Sequence, residues 1–170
     1  MIQRKQSAFL FLASVILSIT FFFPLATFIG EADSLVLYVY KVISLVPDSV
    51  VPLSPYFVLP LFSLVSLVVV LSFITIFLFK NRKRQLILVR FMLLLLLVYI
   101  GVFFFFYVDI LSNISGGIAN YPNGITIPST DMEIPTIVFI VPLASAILLF
   151  MASSGIISDE KLIRSADRLR

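Results

Sequence analysis

Four stretches of the chain carry apolar residues almost without interruption: about Ser7 to Ile29, Tyr56 to Phe79, Leu86 to Val108 and Ile134 to Ile157. Each is long enough for a hydrocarbon core about 30 Å thick, which takes about 20 apolar residues as a helix. Inside lipid every backbone N–H and C=O must be satisfied within the segment, so continuous runs of this length predict helices. The ten-residue alternation of an outer-membrane barrel is missing from them. The pattern therefore predicts an all-α membrane protein: one four-transmembrane-helix bundle over residues 1–170. Polar residues concentrate in two loops, about 30–55 and 109–133, in a short joint near 80–85, and in a tail over 158–170.

Composition agrees with this reading. Of 170 residues 61% are hydrophobic and 12% charged, against about 45–50% and about 25% in ordinary soluble domains. That excludes a soluble globular enzyme and a nucleic-acid-binding domain. The chain has no Cys and no His, which removes disulfide scaffolds, zinc sites, Cys nucleophiles and histidine-based triads. No catalytic residue, cofactor site or metal site is expected.

Charge then orients the spans. Arg4 and Lys5 precede the first; Lys80, Arg82, Lys83, Arg84 and Arg90 sit at the joint of the second and third; Lys161, Arg164, Arg168 and Arg170 follow the fourth. The opposite side has one basic residue, Lys41, with Glu31, Asp33, Asp48, Asp109, Asp131 and Glu133. The positive-inside rule puts both termini and the basic joint in the cytoplasm. The apolar run of the first span exceeds the 7–15 residues usual for a signal-peptide core, so it is expected to stay as a span.

Two readings of the outer loops stand side by side. SLVLYVYKVISLV in the first is rich in strand-favouring residues, and Asn123-Gly124 in the second is a type I′ turn signal followed by the strand-like Ile125-Thr126-Ile127. Together they would make a small periplasmic β-element. Alternatively the first loop lies in the headgroup region, anchored by Tyr38 and Tyr40.

The spans hold almost no ionisable groups. Arg90 can snorkel to the headgroups and Asp109 falls at the outer end, which argues against a proton relay. Pro24, Pro60 and Pro142 are candidate kinks in the outer halves, although Pro60 is close enough to a helix start to distort little. The 18 Phe residues are read as lipid-facing or packing groups.

In the tail, SDEKLIRSADRLR, Ser158 can cap a helix N-terminus with Asp159 and Glu160 on its positive end. Leu162, Ala166 and Leu169 share one face of the short amphipathic helix that would follow. It could lie on the anionic inner leaflet or dock a protein partner through Arg164, Asp167, Arg168 and Leu169.

The two ends, MIQRKQSAFLFLA and DEKLIRSADRLR, resemble an uncharacterised four-span membrane-protein family of Bacteroidota, a family of unknown function. The match rests on Met1, Ile2, Gln3 and Arg4, then Asp159, Lys161, Arg164, Ser165, Ala166, Asp167, Arg168, Leu169 and Arg170. The resemblance implies a Gram-negative inner membrane with the outer loops in periplasm. It implies no activity.

The function expected is that of a non-enzymatic accessory or structural subunit of an inner-membrane complex. Its partners would be the lipid bilayer and a protein, with no nucleic acid and no cofactor. The alternative is a binder of an apolar ligand, a lipid or quinone, in a bundle cavity. An enzyme working through Asp109, Asp131 and Glu133 is the third class, set against their reading as solvated loop charges.

Overall fold

The computed structural model describes residues 3–30, 34–46, 53–54, 56–78, 81–116 and 131–168. Five helices are described: α1 (Gln3–Ser18), α2 (Leu59–Phe77), α3 (Arg82–Val102), α4 (Val108–Gly116) and α5 (Ile137–Arg168). A π-helical turn over Phe103–Tyr107 joins α3 to α4 without a break. The result is four helical rods. Three helices are long and apolar enough to cross a membrane: Leu59–Phe77, Arg82–Ser115 and Ile137–Lys161. The first rod is shorter, its apolar part running over Gln6–Phe21.

Each rod packs on its two neighbours in a closed ring, α1–α2–α3–α5–α1. Side-chain pairs set the directions. Ser72 reaches Leu10 and Phe21 meets Phe62, so α1 and α2 are antiparallel. Gln6 reaches Asp159 and Ser145 reaches Ala13, so α1 and α5 are antiparallel too. Leu10, Ala13, Leu17, Leu61, Val65, Val89, Met92, Leu96, Leu149 and Ile156 fill the interior, all buried. The outward faces carry exposed apolar side chains such as Phe73, Phe77, Leu94, Leu97, Leu143 and Phe150.

The expected first span, 7–29, is divided in the structure. Its helix passes into a 3₁₀ turn over Ile19–Phe21, and Ala26–Ile29 is a strand, β1. Pro24 explains the change: it lacks an N–H and pushes Phe23 out of helical geometry. Pro24 thus ends the helical rod and is no kink within it. Pro60 lies in the first turn of α2, where its missing N–H costs nothing. Pro142 is the proline inside a helix, α5.

β1 is central in a four-stranded antiparallel sheet with β2 (Ser34–Leu37), β3 (Val42–Ser44) and β4 (Asp131–Glu133), in the order β3-β2-β1-β4. The strand reading of the first outer loop therefore holds for β2 and β3. The second loop contributes β4, whereas Asn123-Gly124 and Ile125–Ile127 lie outside the described residues. Register places Ala26 opposite Leu37 and Phe28 opposite Leu35, and all four are fully buried or nearly so. This inner face sits against α4, which packs on β1 and β2. The sheet closes the end of the ring where α1 finishes and α2 and α5 begin. The other end gathers the start of α1, the α2–α3 joint and the end of α5.

Candidate functional site

Polar groups are sparse in this molecule, so their placement is informative. At the basic end of the ring, Gln6 Nε2 donates a 2.6 Å hydrogen bond to Asp159 Oδ2. Both residues are buried. Gly155, one turn before Asp159, makes the approach possible: an added Cβ would lie 3.1 Å from Gln6 Cγ. Nearby, Ser72 Oγ donates to the Leu10 carbonyl at 2.7 Å and Gln85 Nε2 donates to the Thr75 carbonyl at 3.3 Å. These ties join α1 to α5, α1 to α2 and α2 to α3.

Asp159 thus differs from its expected part as a first-turn acid of a separate tail helix. Ser158 starts no new helix: α5 runs unbroken from Ile137 to Arg168. The residues before Ser158 are themselves helical, so a capping residue there has no free N–H group to cap. At 32 residues the helix is about 48 Å long, well beyond the roughly 30 Å of a hydrocarbon core.

Arg164, Asp167 and Arg168 stand on the last turns of this helix. Their side chains, and Leu169 as a whole, lie outside the described residues. Of the orienting basic residues, Arg4 and Lys5 are in the first turn of α1, while Lys80 lies outside the described residues. Arg82 opens α3; Lys83, Arg84 and Arg90 are exposed along it. The ring topology brings these segments to one end.

The sheet end is built differently. Phe57, just before α2, is held by the π turn: Tyr107 Oη donates to the Phe57 carbonyl at 2.6 Å, and the two rings meet at 4.9 Å. The Phe106 ring stacks on the same Phe57 at 6.3 Å. Within the Phe run of this turn, Phe103 is buried and Phe105 is 88% exposed. Above Phe57, the turn between β2 and β3 is closed by the Tyr38 N–H donating to the Lys41 carbonyl. The Lys41 ammonium lies 5.4 Å from the centres of both the Tyr38 and Tyr40 rings. Between this turn and the start of α2 is a cavity of about 230 Å³ lined by Tyr40, Lys41, Val42, Leu53, Ser54, Phe57 and Val58.

Asp109 and Glu133 are exposed, and Asp131 and Glu133 occupy β4 opposite Ile29 and Thr27. Among the described residues no group of three or more acids is placed to hold a metal ion. Three buried polar atoms among them have no hydrogen-bond partner: Thr20 Oγ1, Tyr99 Oη and Arg82 Nη1.

Sequence reasoning missed the Gln6–Asp159 tie, the π turn and the Lys41 cavity. The available signals were a Gln inside an apolar run, a Gly one turn before an acid, and a lone base just after two tyrosines.

No curated protein matches the chain, and no solved structure does. A family profile does match, across residues 2–169, and by that coverage the chain belongs to the family described as a domain of unknown function (DUF4293).

Proposed function

We propose that this protein is a four-span integral protein of a Gram-negative inner membrane, with both termini cytoplasmic, and that it acts as a non-enzymatic subunit docking a protein partner through the end of α5. The single observation that carries the docking reading is the continuity of that helix. A tail lying on the leaflet needs a break in the helix where the span ends, and α5 is continuous from Ile137 to Arg168, with its one proline, Pro142, near the opposite end. Arg164, Asp167 and Arg168 are therefore carried away from the bilayer on a rod pinned to α1 by Gln6 and Asp159.

Four spans are favoured over three by the reach of α1. With its 3₁₀ turn it rises about 30 Å from Gln3 to Phe21. It runs beside α2 from the Leu10–Ser72 contact to the Phe21–Phe62 contact, over eleven of the nineteen residues of a helix long enough to cross. The exposed apolar side chains on all the rods suit lipid contact, and the gathered basic residues suit the cytoplasmic side.

The test is crosslinking in intact cells followed by gentle solubilisation, comparing the native chain with the double variant Arg164→Glu, Arg168→Glu. Both substitutions leave Asp159 and its tie in place. A stoichiometric partner that is lost in the variant is expected. A monomer without crosslinked partner in both chains would overturn the docking reading.

A further inference from the structure

The cavity beside Lys41 has the build of a site for the anionic end of an amphiphile, and we propose that it takes the phosphodiester headgroup of an anionic phospholipid from the outer leaflet. Lys41 is the single basic residue on that side of the chain. Its ammonium lies over two aromatic rings, at 5.4 Å from each ring centre. Cation–π contact holds such a group in place while its three N–H donors stay available to an anion.

The lining divides by chemistry. Lys41, Tyr40 and Ser54 are the polar residues of the lining, and Val42, Leu53, Phe57 and Val58 make its apolar floor. Ser54 Oγ accepts from the Tyr56 N–H, so its own proton can be donated outward. The floor is stiff, because the Phe57 carbonyl and ring are both engaged by Tyr107.

Size and surroundings select the occupant. At about 230 Å³ the cavity is smaller than the roughly 300–1,000 Å³ of pockets that enclose a whole small ligand. It can take one end of a longer molecule. Exposed side chains with apolar bodies adjoin the floor residues: Tyr56 and Leu59 flank Phe57 and Val58 in the chain, and Phe106 stacks on Phe57. An acyl chain has a surface to follow there, and a soluble phosphate has none.

The experiment uses the full chain in nanodiscs of phosphatidylcholine containing a minor share of phosphatidylglycerol. Lipid retained after release is read by native mass spectrometry. Selective retention of phosphatidylglycerol is expected, falling about tenfold in Lys41→Gln, as loss of one charge-assisted contact predicts, and unchanged in Arg90→Gln at the other end. Ser54→Phe, which keeps the charge and fills the cavity, should lower retention as well. Equal retention of the two lipids, or indifference to Lys41→Gln, would overturn the proposal. So would full displacement by millimolar inorganic phosphate, which would assign the site to a soluble anion.

Discussion

Tyr107 engages Phe57 twice, by a 2.6 Å hydrogen bond from its hydroxyl to the Phe57 carbonyl and by a ring contact at 4.9 Å. The π turn makes this double contact possible. Inserting the wider turn over Phe103–Tyr107 rotates the following residues relative to a regular helix, and Tyr107 arrives buried at the start of α2. Val58, at the N-cap of α2, makes no cap hydrogen bond. Tyr107 does not replace that cap, since a helix entry leaves N–H groups over; its hydroxyl satisfies the Phe57 carbonyl, which lies ahead of the helix.

The two halves of this contact are separable. Tyr107→Phe keeps the ring and removes the donor, and should cost about 1 kcal/mol. Tyr107→Leu removes the aromatic pairing too, adding about 0.5–1.5 kcal/mol. Denaturation of the detergent-solubilised protein reads both. Equal loss in the two variants would mean that the ring contact contributes nothing of its own.

Gln6 and Asp159 form a buried pair whose members depend on each other. Replacing Gln6 with Met leaves the Asp159 carboxyl without its donor and should cost about 1–3 kcal/mol. Replacing both, Gln6→Met with Asp159→Leu, should recover most of that loss, because no buried polar group is then left unmet. A double-mutant cycle gives the coupling directly. Gly155→Leu attacks the same place by volume, since even a Cβ there meets Gln6 Cγ at 3.1 Å. It should separate α1 from α5, and disulfide trapping between Ala13→Cys and Ser145→Cys should fall in parallel.

How much of this architecture could be read beforehand varies with the range of the interaction. The long rods follow from run length alone, and β2 and β3 follow from the β-branched and aromatic residues in the first loop. β1 did not, because Ala26–Ile29 continues an apolar run and hydropathy is blind to backbone geometry; Pro24 was the local cue. The tail misled for a related reason. Ser158-Asp159-Glu160 has the chemistry of a helix start, and the same residues continue a helix when the preceding turn is already formed. The Gln6–Asp159 tie joins positions 153 residues apart, and a single sequence encodes such a contact only through the fold it produces. The same holds for the Lys41 cavity, which needs a hairpin turn and a helix start brought together.

The inner face of the sheet and the interior of the ring should respond differently to the same deletion. Leu35 and Leu149 are both buried, at 0% and 1% exposure. Leu35→Ala loses transfer from water as well as packing, and should cost about 2–5 kcal/mol. Leu149→Ala loses packing in a segment whose surroundings are as apolar as the side chain, so the transfer part is missing. Hydrogen exchange in bicelles should show faster exchange across β1 and β2 for Leu35→Ala, with α2 and α5 still protected. A larger loss for Leu149→Ala would argue that the ring is held by water exclusion, against its placement in lipid.

The absence of cysteine from the chain makes its orientation directly measurable, since any introduced thiol is the only one to react. Tyr40 and Lys83 are exposed at opposite ends of the ring. In the orientation proposed from the basic residues, Tyr40→Cys faces the periplasm and Lys83→Cys the cytoplasm. A membrane-impermeant maleimide added to spheroplasts should label Tyr40→Cys at once and Lys83→Cys only after lysis. The first helix enters the same test through Ser34→Cys on β2, which lies beyond it in the chain. If α1 crosses the bilayer, that thiol is labelled with Tyr40→Cys while the N-terminus stays protected from external protease. An N-terminus cleaved in intact spheroplasts, with Ser34→Cys labelled, would leave three crossings and place α1 on the outer side.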